Sequence, residues 1–255
     1  CEDAWVATRP GGGMAEKGVD VILNPSASHF AFGKTEVRKR FILEGSRAFG
    51  VTYIYANLLG NEAGRAIYDG GGAIASQGKM VAEGDRFTFD DFKVTTAVVD
   101  LDATQMGRAR QASYQPAMEA PSADFVHVPY EFQKIAPEPP PPAKSNWEET
   151  PHVKEEEFSR AVTLALFDYL RKTRSRGFVV SLSGGADSAA VAVLCALMVR
   201  FGIGSIGLEE FKRKLSHIAA IKDVNSSEEI INKLLICAYQ ATANSSDTTR
   251  DAARL

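Results

Sequence analysis

The sequence is poor in cysteine and histidine, and it carries no large excess of charge of either sign. Its three cysteines, Cys1, Cys195 and Cys237, fit neither a metal-ligand spacing nor a disulfide framework. Cys195 and Cys237 lie in apolar stretches, which predicts small buried thiols. The 29 basic and 32 acidic side chains give a formal net charge of −3, so no basic surplus predicts a nucleic-acid partner. The four histidines are scattered, and we assign none of them a role.

The sequence also lacks features of secreted and membrane proteins. We find no signal segment and no apolar run that we expect to be long enough to cross a bilayer, so we expect no membrane partner. Unpaired cysteines favour a reducing compartment, and we expect a cytoplasmic location. With 255 residues, the chain is long enough for one large domain or two modest ones without disulfide or metal support.

The first part of the chain alternates strand and helix patterns. It contains β-rich apolar runs, one segment with helical spacing that ends at a glycine, and one hairpin pattern. The strands are predicted at 18–28, 51–60 and 93–102, the helix at 34–50, and the hairpin at 71–85 with its turn at Gln77-Gly78. This order predicts a layered α/β domain. From about residue 103 the pattern fades, and the proline-rich segment 137–151 predicts a linker.

The second part begins with an amphipathic helix predicted at 155–177, with acidic residues first and basic residues last. A short buried strand at 177–183, a glycine turn and an apolar helix follow, as in the opening unit of a doubly wound α/β domain. Two more helical stretches are predicted near the end, and the second is capped by residues 244–247.

The sequence SLSGGADS, residues 181–188, carries the clearest chemical signal. Glycines allow close backbone approach, and the amides that enter a helix face a bound anion. Ser183 and Ser188 add hydroxyl donors, and Asp187 can hold Mg²⁺ on the phosphates. No lysine follows the glycines, so the segment is not a Walker A loop. It resembles the SGGxDS pyrophosphate loop of the N-type ATP pyrophosphatases, which include the synthetases for GMP, asparagine, argininosuccinate and NAD.

Motifs in the first part of the chain distinguish among these synthetases. The opening residues CEDAW resemble the C-E-D/E-x-W elbow of glutamine-dependent NAD synthetases, whose first domain belongs to the nitrilase superfamily. NPSAS at 24–28, GKTEVRKR at 33–40, YANLLG at 55–60 and YDGGGAI at 68–74 extend the resemblance. Joined to SGGADS, these motifs resemble the glutamine-dependent NAD synthetase family over residues 1–104 and 155–255.

The resemblance implies a fold and a domain plan. Residues 1–115 would be the C-terminal part of a nitrilase-like αββα sandwich that acts as a glutaminase. Residues 116–152 would be the linker. Residues 153–255 would begin a doubly wound, Rossmann-like adenine nucleotide α-hydrolase domain with ATP pyrophosphatase chemistry. Family members assemble as homo-oligomers, so we expect one here.

The resemblance also implies roles for individual residues. Cys1 would be the nucleophile that releases ammonia from glutamine, with Glu2, Ser28 and Trp5 binding that substrate. ATP would bind Ser181, Leu182, Ser183, Gly184, Gly185, Ala186, Asp187 and Ser188, with Mg²⁺ on Asp187. The reaction implied is amidation of deamido-NAD to NAD through an adenylated intermediate.

Three alternatives stay open at this stage. Cys1 could be an amino-terminal nucleophile that uses its own α-amine as base. The chain could be another pyrophosphate-loop amidotransferase, chiefly asparagine synthetase, although the residues after Cys1 do not match that family. It could also be a truncated or degenerate product, because the general-base glutamate and the lysine of the nitrilase mechanism lie upstream in family order. The chain therefore looks cut at both ends, and we expect it to be inactive alone.

Overall fold

A computed structural model describes residues 2–62, 64–112, 114–117, 125–131, 136, 146–241 and 246–254. It is a mixed α/β structure. The chain forms two compact units that interleave in sequence. The first unit comprises Cys1–Leu58, Gly70–Arg86 and Lys93–Ser145, and the second comprises Leu59–Asp69, Phe87–Phe92 and Asn146–Leu255.

The first unit is built on a four-stranded sheet, whose strands in spatial order are β1 (Val21–Ser26), β2 (Thr52–Asn57), β5 (Gly72–Ser76) and β6 (Lys79–Glu83). β1 and β2 are parallel, and the β2–β5 and β5–β6 pairs are antiparallel. Its elements are a 3-10 helix Glu2–Ala4, α1 (Pro10–Glu16), β1 (Val21–Ser26), α2 (Lys34–Phe49), β2 (Thr52–Asn57), β5 (Gly72–Ser76), β6 (Lys79–Glu83) and α3 (Leu101–Ala109).

Two glycine positions set the ends of these elements as the sequence predicts. Gly50 adopts a left-handed conformation, with φ 60°, and caps α2 by donating its N–H to the Ser46 carbonyl. Gln77 and Gly78 both have positive φ, at 52° and 75°, which makes the tight turn of the β5–β6 hairpin. The helix at 34–50, the strands within 18–28 and 51–60 and the hairpin are therefore confirmed.

The core of the first unit packs α2 and the 3-10 helix against one face of the sheet. Its buried members are Ala4, Ala15, Ile22, Phe41, Ile42, Val51, Tyr53, Tyr55, Ala73 and Ala75. Ala4 belongs to this cluster, so the turn after Cys1 is anchored to the sheet core. Burial of each Ile, Val or Phe side chain in this cluster contributes about 1.5–3 kcal/mol.

The second unit has a two-stranded antiparallel hairpin and a two-stranded parallel sheet. The hairpin pairs β3 with β4, and the parallel sheet pairs β7 with β8. Its elements are β3 (Leu59–Glu62), β4 (Ala66–Asp69), 3-10 helices at Asn146–Glu149 and Ala219–Ile221, α4 (Val153–Thr173), β7 (Phe178–Leu182), α5 (Ala186–Ile206), α6 (Leu208–Lys214), α7 (Ser227–Leu234), β8 (Leu235–Tyr239) and α8 (Asp247–Ala252).

An aromatic and aliphatic cluster forms the core of this unit. Phe167 on α4 lies between Phe89 and Phe211, with ring centroids 5.1 and 5.4 Å away. Met198 and Val199 on α5 complete the contact between these helices. Phe89 is distant in sequence from the helices, so a segment from the first part of the chain helps to fill this core.

One predicted strand is wrong. Residues 93–100 form no strand, and α3 (Leu101–Ala109) begins where the strand was expected to end. The Asp100 side chain accepts a hydrogen bond from the Ala103 N–H at 2.9 Å, which is an N-cap that the sequence reading missed. The apparent β pattern at 93–102 did not outweigh this cap.

The prediction of two buried thiols is half correct. Cys195 on α5 is buried, and burial raises the pKa of its thiol. Cys237 is exposed, because LICAY forms strand β8 at the edge of a two-stranded sheet rather than a helix face. Both thiols are free.

Helix α5 departs from the prediction that no apolar run could cross a bilayer. Its 21 residues include a window of mean hydropathy 2.1, so length and composition alone would allow a membrane span. Within that window, 22% of residues are buried. Its buried members Cys195, Met198, Val199 and Gly202 pack inside the second unit, and the core helix of a soluble protein passes the same test of composition.

The predicted domain boundaries stay a prediction. Much of the 116–152 linker lies outside the described residues.

Candidate functional site

The SLSGGADS segment lies in the second unit, where β7 ends and α5 begins. β7 runs parallel to β8, with Leu182 opposite Tyr239 at their carboxyl ends. Ligands of open parallel α/β sheets bind at this edge, beyond the carboxyl ends of the strands. Gly185 is the N-cap of α5, so the positive end of a 21-residue helix faces the loop.

The loop is organised by two serine hydroxyls. The Ser188 Oγ accepts a hydrogen bond from the Ser183 N–H at 3.1 Å and donates to the Gly185 carbonyl at 3.1 Å. The Ser183 Oγ accepts from the Gly185 N–H at 3.2 Å and lies 3.1 Å from the Ser188 Oγ. Both hydroxyls and the two amides are exposed or partly exposed, so an anion can replace these internal bonds.

Gly184 cannot be another residue without rearrangement. Its φ is 80°, in the left-handed region, and a Cβ there would overlap the carbonyl oxygen of Thr249 on α8. The Tyr239 hydroxyl lies 3.2 Å from the Thr249 Oγ1, which ties the end of β8 to α8. The contact of α8 with the loop was not visible in the sequence, because the two segments are far apart along the chain.

Asp187 lies in the first turn of α5 with its carboxylate exposed. No group of three or more Asp, Glu, His or Cys residues able to hold a metal occurs within the described ranges. Mg²⁺ in nucleotide sites is held by one or two carboxylates together with substrate phosphates rather than by an all-protein cage. A single exposed carboxylate in the first turn of α5, beside the Ser183–Ser188 loop, therefore fits this ion.

The second candidate site surrounds the start of the first unit. Cys1, the predicted nucleophile, lies outside the described residues. Glu2 opens a 3-10 helix, and its carbonyl accepts hydrogen bonds from the N–H groups of Trp5 and Val6. The Glu2 side chain is exposed, as expected for a group that binds a substrate or simply faces solvent.

Trp5 belongs to a group of aromatic rings that contact one another in this site. Its ring is edge-on to Phe41, with centroids 5.0 Å apart, and Phe41 contacts Tyr55 at 6.0 Å. The Lys34 ammonium lies 5.6 Å from the centre of the Trp5 ring. With 38% of its surface exposed, Trp5 is available as a pocket wall.

Ser28 is held just beyond the carboxyl end of β1. Its N–H donates to the Asn57 Oδ1 at 2.8 Å, and its carbonyl accepts from the Asn57 Nδ2 at 3.0 Å. The Ser28 residue is buried, yet its Oγ has no hydrogen-bond partner in the described part of the chain. A buried hydroxyl without a partner is uncommon and points to a missing ligand or water.

The predicted glutamine residues do not all meet directly. No hydrogen bond joins Glu2 or Trp5 to Ser28 across the ranges that the structure covers. Trp5 contacts Phe41, which in turn contacts Tyr55. The sequence reading missed Asn57, although it lies inside the quoted motif YANLLG, because its role depends on a partner 29 positions away.

Comparisons with known proteins cover both parts of the chain. Residues 158–244 match the NAD synthase family model. Over the whole chain, identity is 36% to a glutamine-dependent NAD(+) synthetase of Oryza sativa subsp. indica and 31% to one of Saccharomyces cerevisiae. The chain covers 35% and 37% of those proteins, so it spans about a third of the length of the curated relatives that it matches.

Solved structures give the same result. The crystal structure of a glutamine-dependent NAD(+) synthetase from Cytophaga hutchinsonii matches 94% of this chain and 34% of its own, with 36% identity and a TM-score of 0.68. A synthetase of the same name from Acinetobacter baumannii, in complex with ADP, covers the whole chain and 35% of its own at 18% identity and a TM-score of 0.57, which shows a shared fold. The chain is therefore similar along its whole length to about a third of the length of the glutamine-dependent NAD(+) synthetases.

Proposed function

We propose that this chain is part of an enzyme that makes NAD from deamido-NAD, using ATP and the amide nitrogen of glutamine. The carboxylate of deamido-NAD attacks the α-phosphate of ATP, pyrophosphate leaves, and an adenylate forms. Ammonia released from glutamine then displaces AMP. The observation that carries this proposal is the Ser183–Ser188 loop between β7 and α5, in a chain whose relatives bear this activity in their names.

The finer fold assignment belongs to the same proposal. The parallel β7–β8 pair with α5 between them in sequence suits the start of a doubly wound nucleotide domain. The four-stranded sheet with α2 on one face suits part of a nitrilase-like sandwich. The homo-oligomeric state, the cytoplasmic location and the absence of membrane and nucleic-acid partners stay predictions.

In the nucleotide site, this chain's own groups bind the departing pyrophosphate. The amides of Ser183 and Gly185 and the hydroxyl of Ser188 exchange their internal bonds for phosphate oxygens, backed by the α5 dipole. Asp187 is the residue that would hold Mg²⁺, and the ion supplies positive charge that neutralises the phosphates. Gly184 holds the left-handed turn of the loop, where a Cβ would overlap the Thr249 carbonyl oxygen.

In the glutamine site, Cys1 would attack the side-chain amide to form a thioester, and water would then release glutamate. Ser28 contributes a buried hydroxyl that is free to bond a ligand, at a position that Asn57 fixes. Glu2 would bind the substrate's α-amine, and Trp5 would line the pocket.

Calorimetric titration of the chain with ATP in the presence of Mg²⁺ tests the nucleotide site. Ser188→Ala should weaken binding about tenfold, because the hydroxyl bonds both the loop and the phosphates, each bond contributing about 1 kcal/mol. Ser216→Ala is the matched control, since Ser216 is exposed outside the loop. Equal affinities of both variants, or no ATP binding by the parent chain, would contradict the site.

The acceptor distinguishes this function from that of asparagine synthetase. The native enzyme, supplied with ATP, Mg²⁺ and glutamine, should form NAD from deamido-NAD and should form no asparagine from aspartate. The reverse result would replace the proposed function.

A further inference from the structure

Tyr55 is a second buried hydroxyl that the described residues leave without a partner. It lies in the middle of β2, its residue is 3% exposed, and its Oη has no hydrogen bond. Buried phenol groups usually find a partner, because an unmade hydrogen bond costs about 1–3 kcal/mol. Tyr55 has no role in the reaction proposed above.

Tyr55 is connected by side-chain contacts to the CEDAW segment at residues 1–5. It pairs in register with Asn24 of β1, and Asn57, two residues later on the same face, holds Ser28. Its ring contacts Phe41, which contacts Trp5. Ala4 belongs to the same buried cluster. Tyr55 thus lies in the buried cluster that includes Ala4, on the strand whose Asn57 holds Ser28.

Tyr53 provides the contrast on the same strand and face. Its Oη accepts a hydrogen bond from the Asn24 Nδ2 at 2.8 Å, and burial raises its pKa. The Asn24 Oδ1 in turn accepts from the Ser26 hydroxyl at 3.1 Å. Asn24, Ser26 and Tyr53 are therefore satisfied by one another, whereas the Tyr55 hydroxyl, like that of Ser28, has no partner among the described residues.

We propose that the Tyr55 hydroxyl donates a hydrogen bond to an oxygen of glutamine bound at the elbow, which makes Tyr55 a substrate-binding residue. The inference rests on the proposed function, since it names a further contact of the same glutamine site. A phenol O–H is a neutral donor that suits a carboxamide or carboxylate oxygen. The missing partner is then the substrate, and the free protein carries the cost of the unmade bond.

Tyr55→Phe separates this role from a structural one. If the hydroxyl forms a hydrogen bond only with the substrate, its removal breaks no bond in the free chain. The midpoint of thermal unfolding of the free chain should then stay unchanged or rise by a few degrees. In a Cys1→Ala background, which prevents turnover, its affinity for L-glutamine by calorimetric titration should fall about fivefold to tenfold.

Tyr53→Phe in the same background is the matched control. Its hydroxyl has a partner within the protein, so the midpoint should fall while glutamine affinity changes less than about twofold. Opposite responses of two tyrosines on one strand would be hard to produce by a general disturbance of the sheet.

Three other results would contradict the inference, and each has a different meaning. Unchanged glutamine affinity in Tyr55→Phe would overturn the role of Tyr55 while leaving the glutamine site intact. A lowered midpoint in Tyr55→Phe would show that the hydroxyl is bonded within the protein or to a structural water, and would also overturn it. No glutamine binding by the Cys1→Ala parent would remove the proposed glutamine site itself.

Discussion

Asp168 shows what a single buried charge does in this molecule. It lies on α4 with 2% of its surface exposed, and its carboxylate accepts hydrogen bonds from the Asn61 N–H at 2.7 Å and from Arg171 at 2.8 Å. The Lys172 ammonium lies 3.1 Å away and also donates to the Asn61 carbonyl. One carboxylate therefore satisfies the hairpin backbone and two cations.

Asp168→Ala should lower the free energy of unfolding by about 1–3 kcal/mol, because it leaves the buried Asn61 amide without its acceptor. Arg171 keeps its ion pair with Asp91, and Lys172 is half exposed. Asp168→Asn should cost less, since an amide oxygen still accepts the bond from Asn61. Urea denaturation measures both.

Asp223→Ala is the control for this prediction, because Asp223 is exposed. Its free energy of unfolding should stay within about 0.5 kcal/mol of the parent. An equally small effect at Asp168 would mean that its network contributes nothing to stability.

Single residues were predictable from the sequence only where their partners lie close along the chain. Ser183 and Ser188 are five positions apart, and the sequence named both. Asn57 and Ser28 are 29 positions apart, and Asn61 and Asp168 are 107 apart, so no local pattern revealed either pair. Cys237 was misjudged because an apolar neighbourhood in sequence does not say which strands or helices cover it.

At the scale of elements, the turn of the β5–β6 hairpin can be tested directly by changing its two central residues, Gln77 and Gly78. Both of its central residues have positive φ, which suits a type I′ turn, and glycine and asparagine suit those positions best. Gln77 is therefore strained where Gly78 is not.

Gln77→Asn should raise the free energy of unfolding by about 0.5–1 kcal/mol, because asparagine tolerates the left-handed conformation. Gly78→Ala should lower it by about 1–2 kcal/mol, since its φ is 75° and its new Cβ would lie 3.1 Å from the Arg47 Cβ. Thermal and urea unfolding of both variants give the comparison. The same sign for both changes would argue against this turn geometry.

Elements with strong end signals were predicted well, including the five-residue strands of the β5–β6 hairpin, and short elements without such signals were not. α2 and α4 ended within a few residues of expectation, because a glycine or basic residues mark their last turns. α3 and α6 were missed, and β8 was taken as helical, because elements of five to nine residues carry too little periodicity to outweigh neighbours.

At the scale of the whole molecule, the second unit depends on segments from the first part of the chain. Phe89 is 4% exposed in its core, its N–H donates to the Ser205 Oγ at 3.3 Å, and the β3–β4 hairpin is held by Asp168. The sequence predicted two parts separated by a linker. It could not reveal this exchange of segments, because long-range burial has no local signature.

A chain comprising residues 146–255 should therefore fail to fold cooperatively, although it contains the whole SLSGGADS loop. It lacks Phe89, whose loss from a core costs about 3–5 kcal/mol, and the partner of Asp168. Near-ultraviolet circular dichroism and urea unfolding, compared with the full 255-residue chain, would show this as lost tertiary signal. A sharp two-state transition for the shorter chain would contradict it.

The interleaved units also have a consequence in time, during synthesis on the ribosome. Asn61 is made 107 residues before Asp168, which corresponds to about 5–20 s at ordinary elongation rates. Throughout that interval the β3–β4 hairpin and Phe89 have emerged without the helices against which they pack. The first unit can close early, but the second has to wait for translation, and chaperones that shield apolar segments would meet this protein at that stage.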